Sequence, residues 1–202
     1  MNCLLVLLTL IAGIDQQMYE GIHSGWRSPA MDVVMLAVTQ SGEDVSVAGS
    51  GVAFYLFGDP ELRRAGALAT CSWLGATAVL AGVRAVVNRP RPTDPNPGWL
   101  YSSFPSGHAN SYFAAATVYA LKFPRLAPAL GVFGTLVALS RVYLGRHWPS
   151  DVLAGAALGV GAGLLTVKLE RPISRLLHLE DSRVSLLQPG SGGGLSVVTL
   201  RF

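Results

Sequence analysis

Three short polar clusters interrupt a chain that is otherwise strongly apolar. In the first, Arg84 and Arg91 bracket Ala85-Val86-Val87-Asn88-Arg89-Pro90, and Pro92 follows. The second is Pro105-Ser106-Gly107-His108. The third is Ser140-Arg141, then five residues, His147, three residues, and Asp151. These residue types suit phosphoryl transfer, whose transition state spreads negative charge over equatorial oxygens and is catalysed mainly by positioning and charge stabilisation. Arg84, Arg91 and Arg141 supply forked donors that match phosphate. Pro105-Ser106-Gly107 precedes a helical pattern, so the backbone N–H groups of Ser106 and Gly107 are expected to point at an anion. Gly107 permits close approach of backbone to ligand.

The two histidines divide the remaining work. His147 lies four residues before Asp151, and a carboxylate on one ring nitrogen fixes the tautomer and leaves the other nitrogen to attack phosphorus. His108 stands beside the anion cradle, where it protonates the departing oxygen and later deprotonates the attacking water. Two histidines and one aspartate among three arginines repel a cation, so no metal and no cofactor is expected. His23 and His178 read as surface residues without a role. Arg89 and Arg146 read as interfacial anchors, with Arg146 outside the site.

The elements that must position these groups follow from composition. Half of the 202 residues are hydrophobic and 13% are charged, against roughly 25% charged in soluble domains. The net charge of +3 gives no reason to expect nucleic acid as a partner. Cys3 and Cys71 have neither metal nor disulfide spacing and read as small buried hydrophobes. Charge-free runs cover residues 1–14, 45–58, 65–83, 95–121, 126–140 and 152–167. Only 65–83 passes cleanly on both polarity and length as a membrane span; 95–121 is longer but holds prolines. The helix in 95–121 is expected to start near Ser106, after Pro95, Pro97 and Pro105. Taken together, with few charges to coat a surface, the runs read as an all-α, multi-pass membrane bundle whose charged ends snorkel to the interface. The run 1–14 reads as a short first span, and residues 15–43 as interfacial helices lying on the bilayer. Ala154, Gly155, Ala156, Ala157, Gly159, Gly161 and Gly163 crowd one run and let helix backbones approach. Residues 1–169 form the membrane domain. Residues 170–202 are polar and rich in glycine (Gly190, Gly192, Gly193, Gly194) and read as a flexible tail, with a short strand in its last eight residues. If each run crosses once, all three polar clusters emerge on one face, as a single assembled site requires.

At these residues the chain resembles the type 2 phosphatidic acid phosphatase superfamily, which also includes vanadium haloperoxidases. The family pattern is Lys, six residues, Arg-Pro; Pro-Ser-Gly-His; then Ser-Arg, five residues, His, three residues, Asp. The chain matches it at Arg91-Pro92, at Pro105-Ser106-Gly107-His108, and at Ser140, Arg141, His147 and Asp151. It departs at Arg84, where the family usually has lysine; charge is kept while reach and geometry change. The resemblance implies about six transmembrane helices with the site on one membrane face. It also implies His147 as nucleophile, His108 as acid and base, Asp151 as orienter of His147, and Arg84, Arg91, Ser106, Gly107 and Arg141 as phosphate holders. The implied substrates are lipid phosphate monoesters or isoprenyl and lipid diphosphates within the bilayer, with membrane lipids as surroundings and no protein partner indicated.

Three other readings compete. A phosphotransferase of the same superfamily would carry identical motifs. A haloperoxidase is disfavoured because those enzymes are typically larger and soluble. A non-catalytic scaffold is disfavoured by the full set of nucleophile, acid and orienter. Basic residues Arg63, Arg64, Lys122, Arg125, Lys168, Arg171 and Arg175 fall on the face opposite the clusters, whereas Arg27, Arg89 and Arg146 share the site face. The positive-inside rule then puts the site outside the cytoplasm and both termini inside, in what the compact size and the resemblance suggest is a bacterial inner membrane.

Overall fold

A computed structural model of the chain describes residues 3–95, 98, 101–179, 183–189 and 195–201. Among the described residues eight helices follow one another: α1 (Cys3–His23), α2 (Pro29–Gln40), α3 (Asp44–Phe57), α4 (Pro60–Val87), α5 (Gly107–Lys122), α6 (Ala127–Tyr143), α7 (Pro149–Lys168) and α8 (Glu170–Leu176). A 3-10 turn, Pro124–Leu126, leads into α6. Two strands, β1 (Arg183–Pro189) and β2 (Leu195–Arg201), pair antiparallel with Arg183 opposite Arg201. The glycine run after Pro189 lies outside the described residues, as does the side chain of Cys3. Cys71 is a free, half-buried thiol.

Among the described residues three helical stretches are long and apolar enough to cross a membrane, Pro60–Val87, Pro124–Tyr143 and Pro149–Lys168. Many large apolar side chains are exposed on outward faces, including Val33, Val45, Phe57, Val132, Leu153 and Leu165. In water such a belt would be unstable; in a bilayer it is the surface that meets acyl chains.

Local signals account for most helix starts. Proline occupies the first turn of α2, α4 and α7, where its missing N–H costs nothing. The Ser28 hydroxyl caps α2 through Met31 N, and the Asp59 carboxylate caps α4 through Leu62 N. The α5 helix begins at Gly107, as expected from Pro105, with Ser106 as its N-cap.

The first helix corrects an expectation. The charge of Asp15 does not end it; α1 continues to His23. Asp15 is buried and satisfied, because its carboxylate accepts from Ser150 N, Ser150 Oγ and Arg89 Nη2. A charge with three donors no longer needs the interface.

The core is built around α5, which packs mainly against α7 and also against α4 and α6. Glycines make this possible. A Cβ at Gly155 would collide with the Ser106 carbonyl, one at Gly159 with the Asn110 carbonyl, and one at Gly163 would lie 2.6 Å from Thr117 Cβ. These positions recur every fourth residue and form one face of α7, which therefore lies directly on the α5 backbone. Gly161, expected to share that role, faces open space. At the far end, Glu170 at the start of α8 pairs with Arg64 of α4 (2.8 Å) and Lys122 of α5 (2.5 Å). The ends of α4, α5 and α7 opposite the polar clusters are thereby tied together.

Candidate active site

The close packing of α5 on α7 fixes the centre of the site. Ser106 N donates to the Asp151 carbonyl at 3.0 Å, joining the first turns of the two helices. This corrects the expectation for Ser106: its amide is spent inside the protein, while its buried hydroxyl has no protein partner. The first-turn amides of Gly107, His108 and Ala109 have no carbonyl four residues back in the helix to accept them. Unlike α2 and α4, α5 has no side-chain cap. Its positive end is open to an anion.

Arg84, at the end of α4, lies across this turn. Its Nη2 and Nε donate to the Pro105 carbonyl at 3.0 and 3.3 Å. A Cβ on Gly107 would sit 3.2 Å from Arg84 Nη2, so glycine lets the guanidinium lie against the helix start without a shift. Arg91 is held by Nε to the Tyr101 carbonyl at 2.9 Å. Burial, and then the neighbouring Arg146, lower its pKa. Arg141 is buried at the end of α6; its Nη1 donates to Thr39 Oγ1 of α2 at 2.7 Å and its Nε has no protein partner. The charge of Arg146 acts on Arg91 and Arg141 even though its side chain is exposed. It therefore belongs to the rim of the positive field.

His147 sits in the turn between α6 and α7. The N–H groups of Arg146 and His147 both fold back onto the Arg141 carbonyl, at 3.0 and 3.3 Å. Gly145 makes that turn at φ +71, and a Cβ there would strike Thr93 and His23. The imidazole is 1% exposed. Its Nδ1 lies 2.7 Å from the Ser103 carbonyl and 3.7 Å from Asp151 Oδ2. This corrects the expected pairing, because the ring nitrogen's hydrogen-bond partner is a backbone carbonyl. Asp151 is already engaged: Oδ2 accepts from Trp148 N at 2.8 Å and Oδ1 from Arg89 Nη1 at 2.7 Å. A carbonyl only accepts, so Nδ1 carries the proton and Nε2 keeps its lone pair. Burial pushes the His147 pKa down to about 4, against the opposing pull of Asp151, so the ring is neutral at physiological pH. His108 Nε2 is buried without a protein partner. The charges of Arg141 and Arg91 act on that ring.

Arg89, expected to anchor at the interface, instead binds Asp151, Ser150 Oγ (2.7 Å) and Asp15 (2.6 Å), with its guanidinium 5.5 Å from the centre of the Trp148 ring. Its neighbours brace the same strap: Ser103 N donates to the Arg89 carbonyl, and Ser103 Oγ and Trp148 Nε1 donate to the Pro90 carbonyl. His23, expected on the surface, is half-buried, with Nδ1 2.7 Å from the Tyr143 carbonyl and its ring stacked on Tyr19. Of the residues missed in the sequence, Asp15 alone carried a signal, an acid following an apolar run. Thr39 and Ser150 are ordinary polar residues, and Ser103 meets His147 through its carbonyl.

The sequence profile of the PAP2 superfamily matches residues 64–174, more than half of the chain. The chain belongs to this superfamily. It is 35% identical over 115 residues to the lipid A 1-phosphatase of Rhizobium johnstonii, covering 47% of this chain and 47% of that protein. It is 40% identical over 90 residues to the undecaprenyl-diphosphatase of Sulfolobus acidocaldarius, covering 43% of this chain and 40% of that one. The chain thus spans about half the length, or less, of these curated relatives. The fold is similar to that of a transmembrane PAP2 type phosphatidylglycerolphosphate phosphatase from Bacillus subtilis, with a TM-score of 0.60 and 25% identity over 82% of this chain and 89% of that one. With its apolar helices and these relatives, the chain is an integral membrane protein.

Proposed function

We propose that this protein is a lipid phosphatase that cleaves phosphate monoesters or diphosphates of membrane lipids through a phosphohistidine on His147. The observation that carries the reading is the Ser103 carbonyl on His147 Nδ1, which leaves a lone pair on Nε2. That nitrogen attacks phosphorus as the bond to the leaving oxygen breaks, and His108 gives the leaving oxygen its proton. Water then attacks the phosphorus of the intermediate, His108 takes the water's proton, and the phosphorus–nitrogen bond breaks to regenerate neutral His147. Arg84, Arg91, Arg141, the Ser106 hydroxyl and the Gly107 amide hold the phosphoryl oxygens and offset their charge. Asp151 steadies the His147 turn through Trp148 N and adds negative charge beside the ring. A substrate dianion lowers the local positive potential and so favours a proton on His108.

The site faces the periplasm or cell exterior of a bacterial inner membrane, with both termini inside and six spans formed by α1 and α3–α7. Support comes from the basic residues gathered at the opposite end. The enzymatic test is His147→Ala in detergent, with phosphate release measured on a panel of lipid phosphates in excess chelator. Turnover should fall by at least about 10³-fold, and the acid-labile phosphoenzyme trapped in the parent should disappear. Substantial residual turnover would refute the covalent route.

A further inference from the structure

We infer that the site has a second compartment that binds a hydroxyl-bearing group of the substrate next to the reacting phosphate. The inference rests on the phosphatase reading above. A cavity of about 170 Å³ lies between α3, α4 and α5, and Arg84 and Gly107 form one wall of it. It therefore adjoins the phosphate cradle directly. Asn110 is completely buried and lines this cavity, and neither end of its side-chain amide has a protein partner. The Thr77 hydroxyl, on another wall, is also buried without a partner. Asp44 stands at the exposed rim, where its Oδ1 accepts from Ser111 Oγ at 2.5 Å and Trp73 Nε1 at 2.9 Å.

The donor set selects the ligand. An amide and a hydroxyl each donate and accept, and a carboxylate accepts. Hydroxyls match this lining on both counts. A second phosphate does not, because it would meet the Asp44 carboxylate with only Arg84 to offset the repulsion. An acyl chain would leave Asn110 and Thr77 unsatisfied. The volume admits several waters, enough for a glyceryl group or one edge of a sugar ring. The expected substrate class is a lipid-linked polyol or sugar phosphate, with a free hydroxyl on the carbon next to the phosphate ester.

The test uses the full chain in detergent with three substrates: dioleoyl phosphatidylglycerol phosphate, which carries such a hydroxyl; dioleoyl phosphatidic acid, which does not; and farnesyl diphosphate. The parent should show its highest kcat/KM on the first. Asn110→Leu and Thr77→Val each keep the side-chain shape and remove the polar atoms. Each should lower the ratio of kcat/KM for the first substrate over phosphatidic acid by about fivefold, the worth of one hydrogen bond. Having two variants protects the measurement should one of them fold poorly. An unchanged ratio in a folded variant would mean that the cavity holds only water, and would overturn the inference while leaving the phosphatase reading intact. Highest activity on farnesyl diphosphate would overturn it too. If the parent released phosphate from none of the three, both readings would fall together.

Discussion

The reactivity proposed for His147 depends on what surrounds each of its two nitrogens. Buried and bound to a carbonyl, the ring keeps its pKa near 4, well below the ordinary 6.5 of histidine. The proposed nucleophile is then unprotonated throughout the neutral range. The acid limb of kcat/KM, corrected for substrate ionisation, should fall near pH 4 if this ring sets it, and a limb near 6.5 would contradict the burial argument. The same shift acts on stability with a definite sign. Between pH 6.5 and 4 the unfolded chain holds a proton on this histidine that the native chain does not. Stability from this group is therefore full above that window and is lost as pH falls through it.

At the scale of elements, two devices hold the site together, and each gives an expectation. One is the chain of charges Asp15–Arg89–Asp151, which links α1 to α7 through the strap after α4. Arg89→Ala leaves two buried carboxylates without a counter-charge and should cost about 3 kcal/mol, read as an earlier unfolding midpoint in detergent. Adding Asp15→Asn should restore part of that loss, because one of the two bare charges is removed; a further drop would disprove the linkage. The other device is the glycine face of α7. Gly159→Leu should cost about 2 kcal/mol through overpacking, while Gly161→Leu, which faces open space, should be close to neutral in the same measurement. The sequence disclosed these devices unevenly. Pro105 and Ser106 announced the start of α5, and the charge-free run 152–167 announced α7. The glycines announced close packing without saying which of them face α5. Arg89 looked like an anchor because its partners, Asp15 and Asp151, lie 74 and 62 residues away. The Ser103 carbonyl belongs to every residue alike and leaves no mark in a sequence.

For the whole molecule, the salt bridges of Glu170 with Arg64 and Lys122 and the open turn of α5 lie at opposite ends of the bundle, which makes sidedness testable. A fluorescent protein fused after Leu179 should glow in the cytoplasm, and alkaline phosphatase at the same point should stay inactive; the reverse would put the catalytic face inside. The burial of Asp15 has a further meaning for how the molecule is made. This acid leaves the ribosome early, yet two of its three donors belong to Ser150, 135 residues later in the chain. Until α7 is inserted, the carboxylate on the first helix has only Arg89 of its three donors. Biogenesis is therefore completed only by a late event, the arrival of α7. A nascent chain stalled before Ser150 leaves that carboxylate short of two hydrogen bonds, a defect that marks the protein as unfinished.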